Sequence, residues 1–217
     1  MKKVMITLCL AIVASTTFAQ SAKYTTRMET LVNQLDTART TAQWNNLFTA
    51  FERVAETEKT QWLPYYYAAL AKVQGTRMQL GGAMGGNTAT TDPAADKAEL
   101  LLTKAISLSK ETSETLIVTK LIASLRMMGD PMTRFQKYGT DANKALTAAK
   151  KADPNNPRSY LLEGEDKYYT PEQFGGSKTE AKKLFAKSQE LYKAQKPVST
   201  ISPRWGAGAV GYFLSLK

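Results

Sequence analysis

Apolar residues recur at three- and four-residue spacing along almost the whole chain, and alternating runs rich in Val, Ile and Thr are hard to find. This pattern predicts an all-α protein. Met28, Leu31, Val32, Leu35 and Ala38 mark one face of a first helix, and Trp44, Leu47, Phe48, Phe51, Val54 and Ala55 mark a second. A third is predicted over 62–73, with Pro64 tolerated in its first turn. The pattern then lapses: five of the 13 glycines fall between Gly75 and Gly86, and the following residues are polar. A flexible loop is expected over 75–92.

The next helix is expected to start at Asp92 as cap with Pro93 in its first position, burying Leu101, Leu102, Ala105, Ile106 and Leu108. Another is expected over 113–128, followed at Asp130-Pro131 by a short connecting turn of helix through Phe135 and Tyr138. A further helix should span Thr140–Ala152, because Asp153-Pro154-Asn155-Asn156-Pro157 cannot continue it yet places a Pro at the next first turn. Helices over Pro157–Tyr169 and 177–194 complete the series, and Ser177 with Glu180 matches a capping box. The tail carries Trp205 and an apolar end, Val210 to Leu216, expected to pack as a terminal lid.

Aligning the second helix of successive pairs places Ala98, Leu102 and Ala105 over Ala142, Leu146 and Ala149, and over Ala181, Phe185 and Ser188. The pattern resembles the tetratricopeptide repeat, whose second helix carries Ala-x3-Phe-x2-Ala and ends shortly before a Pro. Pro154 stands at that place, Tyr160 at the repeat's Trp position and Gly164 at its small, close-packing position. The best-matching repeats cover 98–194; equivalent alanines lie 44 and 39 residues apart, longer than the usual repeat, so loops are inserted at 129–139 and 170–176. The phrases at 153–158 and 169–176 are also similar to stretches of exported bacterial repeat proteins. The resemblance implies antiparallel helix pairs stacked as a superhelix, about four pairs plus a C-terminal lid. It also implies a concave binding face, for which Tyr66, Leu70, Ile117, Leu121, Arg158 and Tyr168 are the candidates.

Residues 1–19 read as a signal peptide: Lys2 and Lys3 open it, an apolar stretch follows, and Thr-Phe-Ala before Gln20 is a small-residue cleavage pattern. The apolar stretch is far shorter than the roughly 20 residues of a spanning helix, so no membrane span is expected. Cleavage after Ala19 leaves a single helical domain, 20–217, exported and placed in the periplasm. It removes the one Cys, Cys9, and takes the formal charge from +10 to +8. An exported chain without disulfides relies on its core, which fits a bacterial envelope. The basic surplus ordinarily points to nucleic acid or an acidic surface, but export argues against nucleic acid, and the lysines are scattered along solvated helix faces.

The chain has no His, which excludes Ser-His-Asp and Cys-His catalysis and metal sites built on His, so neither cofactor nor metal is expected. The stretch 81–88 copies the phosphate-loop spacing, but Asn87 replaces the essential Lys and no strand precedes it. Gly175-Gly176-Ser177-Lys178-Thr179 presents helix-terminal N–H groups beside a Lys, which the capping box explains equally. Ser107-x-x-Lys110 lacks the companion motifs of penicillin-binding enzymes. Glu163, Glu165 and Asp166 diverge on one helix and cannot face each other across a cleft. The expected function is therefore a non-enzymatic scaffold of the cell envelope that binds a protein or peptide segment, one able to carry acidic groups. The alternatives are an envelope enzyme acting on cell-wall or glycan material and a structural homo-oligomer.

Overall fold

The computed structural model describes residues 22–81 and 87–216, and these residues form helices and connecting turns without a strand. The expected leader lies outside them, as does most of the phosphate-loop-like stretch. The helices are α1 (22–35), α2 (Thr41–Thr57), α3 (Trp62–Gln79), α4 (Thr88–Ser109), α5 (Ser113–Gly129), the short α6 (Pro131–Arg134), α7 (Thr140–Ala152), α8 (Pro157–Tyr169), α9 (Lys178–Ala194) and α10 (Ala207–Ser215). Several start where a side chain satisfies free N–H groups. Thr40 Oγ1 accepts from Gln43 N while Gln43 Oε1 accepts from Thr40 N, and Thr112 and Thr115 do the same for α5. Asn156 and Ser177 cap α8 and α9 through their side-chain oxygens.

Neighbours in sequence pack as neighbours in space: α2 on α3, α3 on α4, α4 on α5, α5 on α7, and α8 on α9. All nine positions of the repeat alignment are buried, in α4, α7 and α9. At Gly164 on α8, a Cβ would lie 2.5 Å from Phe185 Cε1, so the small residue on one helix makes room for the large one on its partner. The principal core runs from α1 through α5 and takes in Leu146, Leu162 and Trp205. A second, smaller core joins α8, α9 and α10 around Leu161, Ala181, Phe185, Val210 and Phe213.

Two boundaries differ from expectation. Helix α3 continues through Gly75 to Gln79, and Gly75 serves packing and not termination: α2 crosses there so closely that a Cβ would stand 3.1 Å from Trp44 Cβ. Helix α4 begins at Thr88, capped by Asn87 Oδ1, which accepts from Thr90 N at 3.2 Å. Asp92 is not the cap; it is held by Arg134 through two hydrogen bonds of 2.6 and 2.9 Å, and Pro93 sits inside the helix. The expected loop over 75–92 is thus helical at both ends. Between α5 and α7 the inserted stretch is α6, capped by Asp130, followed by one turn of π-helix at Phe135–Gly139 that runs into α7.

After α9 the chain forms no helix until α10, and this segment crosses back over the first helices. Tyr67 Oη donates to the Ile201 carbonyl at 2.8 Å, Trp205 Nε1 donates to Tyr66 Oη at 2.9 Å, and Gly206 N donates to Asp36 Oδ1 at 2.8 Å. Arg204 also bonds Asn33. Gly206 then turns the chain into α10 with φ of 104°, a left-handed conformation, and a Cβ there would strike Leu161 and Tyr192.

Candidate functional site

The structure separates the six residues read as a concave binding face. Tyr66, Leu70, Ile117, Leu121 and Arg158 are buried, whereas Tyr168 is half-exposed on the last turn of α8. What covers the Tyr66 and Arg158 side of this set is the protein's own C-terminal segment, with Trp205 seated on Tyr66. Arg158 donates to Glu114 from Nε and Nη2 at 3.0 and 2.5 Å, and its guanidinium lies 5.9 and 5.8 Å from the Tyr192 and Trp205 ring centres. Burial opposes the guanidinium charge, but the charge and hydrogen bond of Glu114 together with the Tyr192 and Tyr66 phenols outweigh it and raise the Arg158 pKa. Glu114 also accepts from Tyr66 Oη at 2.8 Å and Asn156 Nδ2 at 2.7 Å, so this charged group is internally satisfied except at Arg158 Nη1. It ties α3, α5 and α8 together, and it offers no open surface to a partner.

An open site lies at the other end of α8. A cavity of about 190 Å³ is lined by Tyr168 from α8, Lys178, Thr179, Lys182 and Phe185 from α9, and Phe213 and Leu216 from α10 and its end. The helical period places Lys178, Lys182 and Phe185 toward the same side of α9. Phe185 and Phe213 stack with centres 4.4 Å apart and planes at 7°, and both are buried. Tyr168 meets Phe213 edge-on at 5.3 Å, and Tyr169 and Tyr212 continue the aromatic cluster outward at 5.9 and 5.5 Å from Phe213. These last two are 66% and 59% exposed, an uncommon state for large aromatic rings that already touch a core.

The charge at this site has one sign. Lys178 Nζ stands 5.5 Å above the Tyr168 ring, held by the negative face of the phenol. Among the described residues neither Lys178 nor Lys182 forms an ion pair, whereas Lys183 and Lys187 of the same helix pair with Glu180 and Glu190. The glycine-rich approach to α9 is accounted for by the connection itself. Ser177 Oγ accepts from Glu180 N at 3.2 Å, and the space of a Gly176 Cβ is taken by the Thr170 carbonyl. An apolar aromatic floor with two ammonium groups at its rim suits a flat apolar molecule bearing anionic substituents.

Phe185 was legible as the large residue of the repeat pattern, and Tyr168 as a face residue. Lys178 was legible as the Lys beside the N–H groups that open α9, whereas Phe213 and Lys182 carry no such mark in the sequence. The Lys178–Lys182 spacing beside Ala181 and Phe185 was an available signal, since like charges one turn apart destabilise a helix unless they face something. Among the described residues no group of three or more His, Cys, Asp or Glu could hold a metal, and no helix is long and apolar enough to cross a membrane.

No family model matches the chain, and no curated protein matches it. Its structure is similar to that of the HusA haemophore from Porphyromonas gingivalis. The two are 31% identical in sequence with a TM-score of 0.75, over 88% of this chain and 90% of that one.

Proposed function

The chain belongs to the family of the HusA haemophore, and from that premise we propose that it is a carrier that binds haem without covalent chemistry, at the aromatic pocket between α8, α9 and α10. The observation that carries the reading is the likeness to a haemophore over nearly the whole length of both chains. The pocket supports it independently: Tyr168 and Phe213 offer ring surface to a flat macrocycle, and Lys178 and Lys182 offer cations to its carboxylates. With no His in the chain, these ring faces and ammonium groups are the chemistry the pocket brings to the ligand. A cavity of about 190 Å³ is smaller than the roughly 300–1,000 Å³ of sites that enclose a small molecule. Haem would therefore enter by one edge and leave the rest of its face outside the cavity.

This reading replaces a bound peptide segment with a small apolar ligand, because Tyr66 and Arg158, two of the residues expected to line a peptide groove, lie beneath Trp205 of the same chain. The helix pairs act as a tetratricopeptide-like stack that fixes α8 against α9. The buried alignment positions on α4, α7 and α9 support that arrangement. Export to the periplasm after removal of residues 1–19 fits a protein whose work is to carry a ligand, and the mass of the protein recovered from the envelope tests the cleavage after Ala19.

The binding test is titration of the purified protein with haemin, followed through the Soret band. Saturable binding is expected, and Tyr168→Ala should weaken it about tenfold, the equivalent of about 1.4 kcal/mol, with an unchanged circular dichroism spectrum. Absence of saturation by about 1 mM haemin overturns the function. Full affinity in the Tyr168→Ala protein overturns the assignment to this pocket.

A further inference from the structure

On the reading that the pocket binds haem, we propose that Lys178 and Lys182 form a two-point clamp for a pair of carboxylates on one edge of the ligand, so that the site selects a dicarboxylate and does not merely accept a flat apolar ring. Both lysines line the cavity and stand one helical turn apart on α9, a separation of about 5–6 Å between Cβ atoms. Neither has a carboxylate partner among the described residues, although α9 neutralises Lys183 and Lys187 within itself. Leaving two like charges unneutralised at this spacing works against the helix, and a dianion placed between them removes the penalty.

The walls fix which way round the ligand lies. The buried, stacked rings of Phe185 and Phe213 close the inner end, so the apolar edge goes inward. Lys178 and Lys182 are exposed at the outer end, with Lys178 already drawn over the Tyr168 ring, so carboxylates at the opposite edge meet the ammonium groups where water can still solvate both. Because the contact is at the rim, it is screened by salt and acts more on selectivity than on the burial of the ring.

The experiment compares haemin with its dimethyl ester, both delivered from the same detergent solution, against the unaltered protein, Lys178→Gln, Lys182→Gln and the double variant. The unaltered protein should bind the diacid at least about tenfold more tightly than the diester. Each single substitution should narrow that ratio, and the double variant should abolish it while holding its diester affinity. The diacid preference should also shrink as salt is raised, with diester binding unmoved. Equal binding of the two ligands by the unaltered protein, or a ratio that survives in the double variant, overturns the clamp and leaves the haem-binding reading standing. Failure to bind either ligand overturns both. The two side chains are exposed, so the variants should fold as the parent does, which circular dichroism checks.

Discussion

Gly164 shows how a single missing side chain sets up the pocket. Phe185 fills the space its Cβ would occupy, and Phe185 in turn stacks on Phe213, which with Tyr168 forms the aromatic floor. Adding one methyl group, Gly164→Ala, places a carbon 2.5 Å from Phe185 Cε1 and 2.7 Å from Cδ1, and a buried ring already stacked on Phe213 cannot swing aside freely. The intrinsic helix preference for Ala, worth about 1 kcal/mol, is outweighed by overpacking of about 1–3 kcal/mol. The expected outcome is a net loss of about 1 kcal/mol in chemical denaturation, together with weaker haemin binding, because Phe213 is displaced with Phe185. An Ala variant as stable as the parent would mean that the α8–α9 contact is looser than its geometry. This small-large pair was readable from the sequence, since both positions fall on a repeat pattern. The partner Phe213 was not, because it lies outside the repeats, on a terminal helix whose docking site no local signal specifies.

At the scale of the element, boundaries were legible where backbone chemistry decides them and misread where packing does. Helices α7 and α8 match expectation residue for residue, because a run with two prolines and a capping Asn between Ala152 and Arg158 leaves the backbone no alternative. Gly75 and Pro93 carry the same kind of local signal and point to helix ends, yet both lie inside helices. Gly75 is there for the closeness of α2; Pro93 is there although it gives up a hydrogen bond, with Arg134 clamping the adjacent Asp92 from across the bundle. Pro93 is exposed, so its ring contributes little packing to set against that loss. Pro93→Ala should therefore restore an N–H to the Ala89 carbonyl and stabilise the protein by about 1–2 kcal/mol. That is less than the roughly 3 kcal/mol difference in helix propensity, because the unfolded chain regains freedom. A denaturation midpoint that falls in this variant would show that the first turns of α4 depend on the ring.

The whole molecule is closed by contacts that join residues more than 130 positions apart, which is why the filled concave side was not legible. Tyr67 to Ile201 and Tyr66 to Trp205 are pairings that no periodicity encodes. The residues chosen as a binding face had the right composition for one, and the chain's own C-terminal segment uses it. Three of the tyrosines that seat this segment, Tyr66, Tyr67 and Tyr192, have pKa values raised chiefly by burial, and burial also pushes Tyr24 up to about 12. A phenol that ionises near 10 in the unfolded chain and only at higher pH in the fold leaves stability untouched below about pH 10. Above that the unfolded state holds fewer protons, and stability falls at up to about 1.4 kcal/mol per pH unit for each such group. Four groups acting together remove about 5 kcal/mol per unit at the steepest, comparable with the whole stability of a domain. Unfolding should therefore set in abruptly between about pH 10 and 12, with tyrosinate absorbance and loss of helical circular dichroism rising in one step. If the buried phenols titrated one by one while the helices remained, the C-terminal segment would be lifting off by itself. The segment and the helices it covers would then not be one cooperative unit.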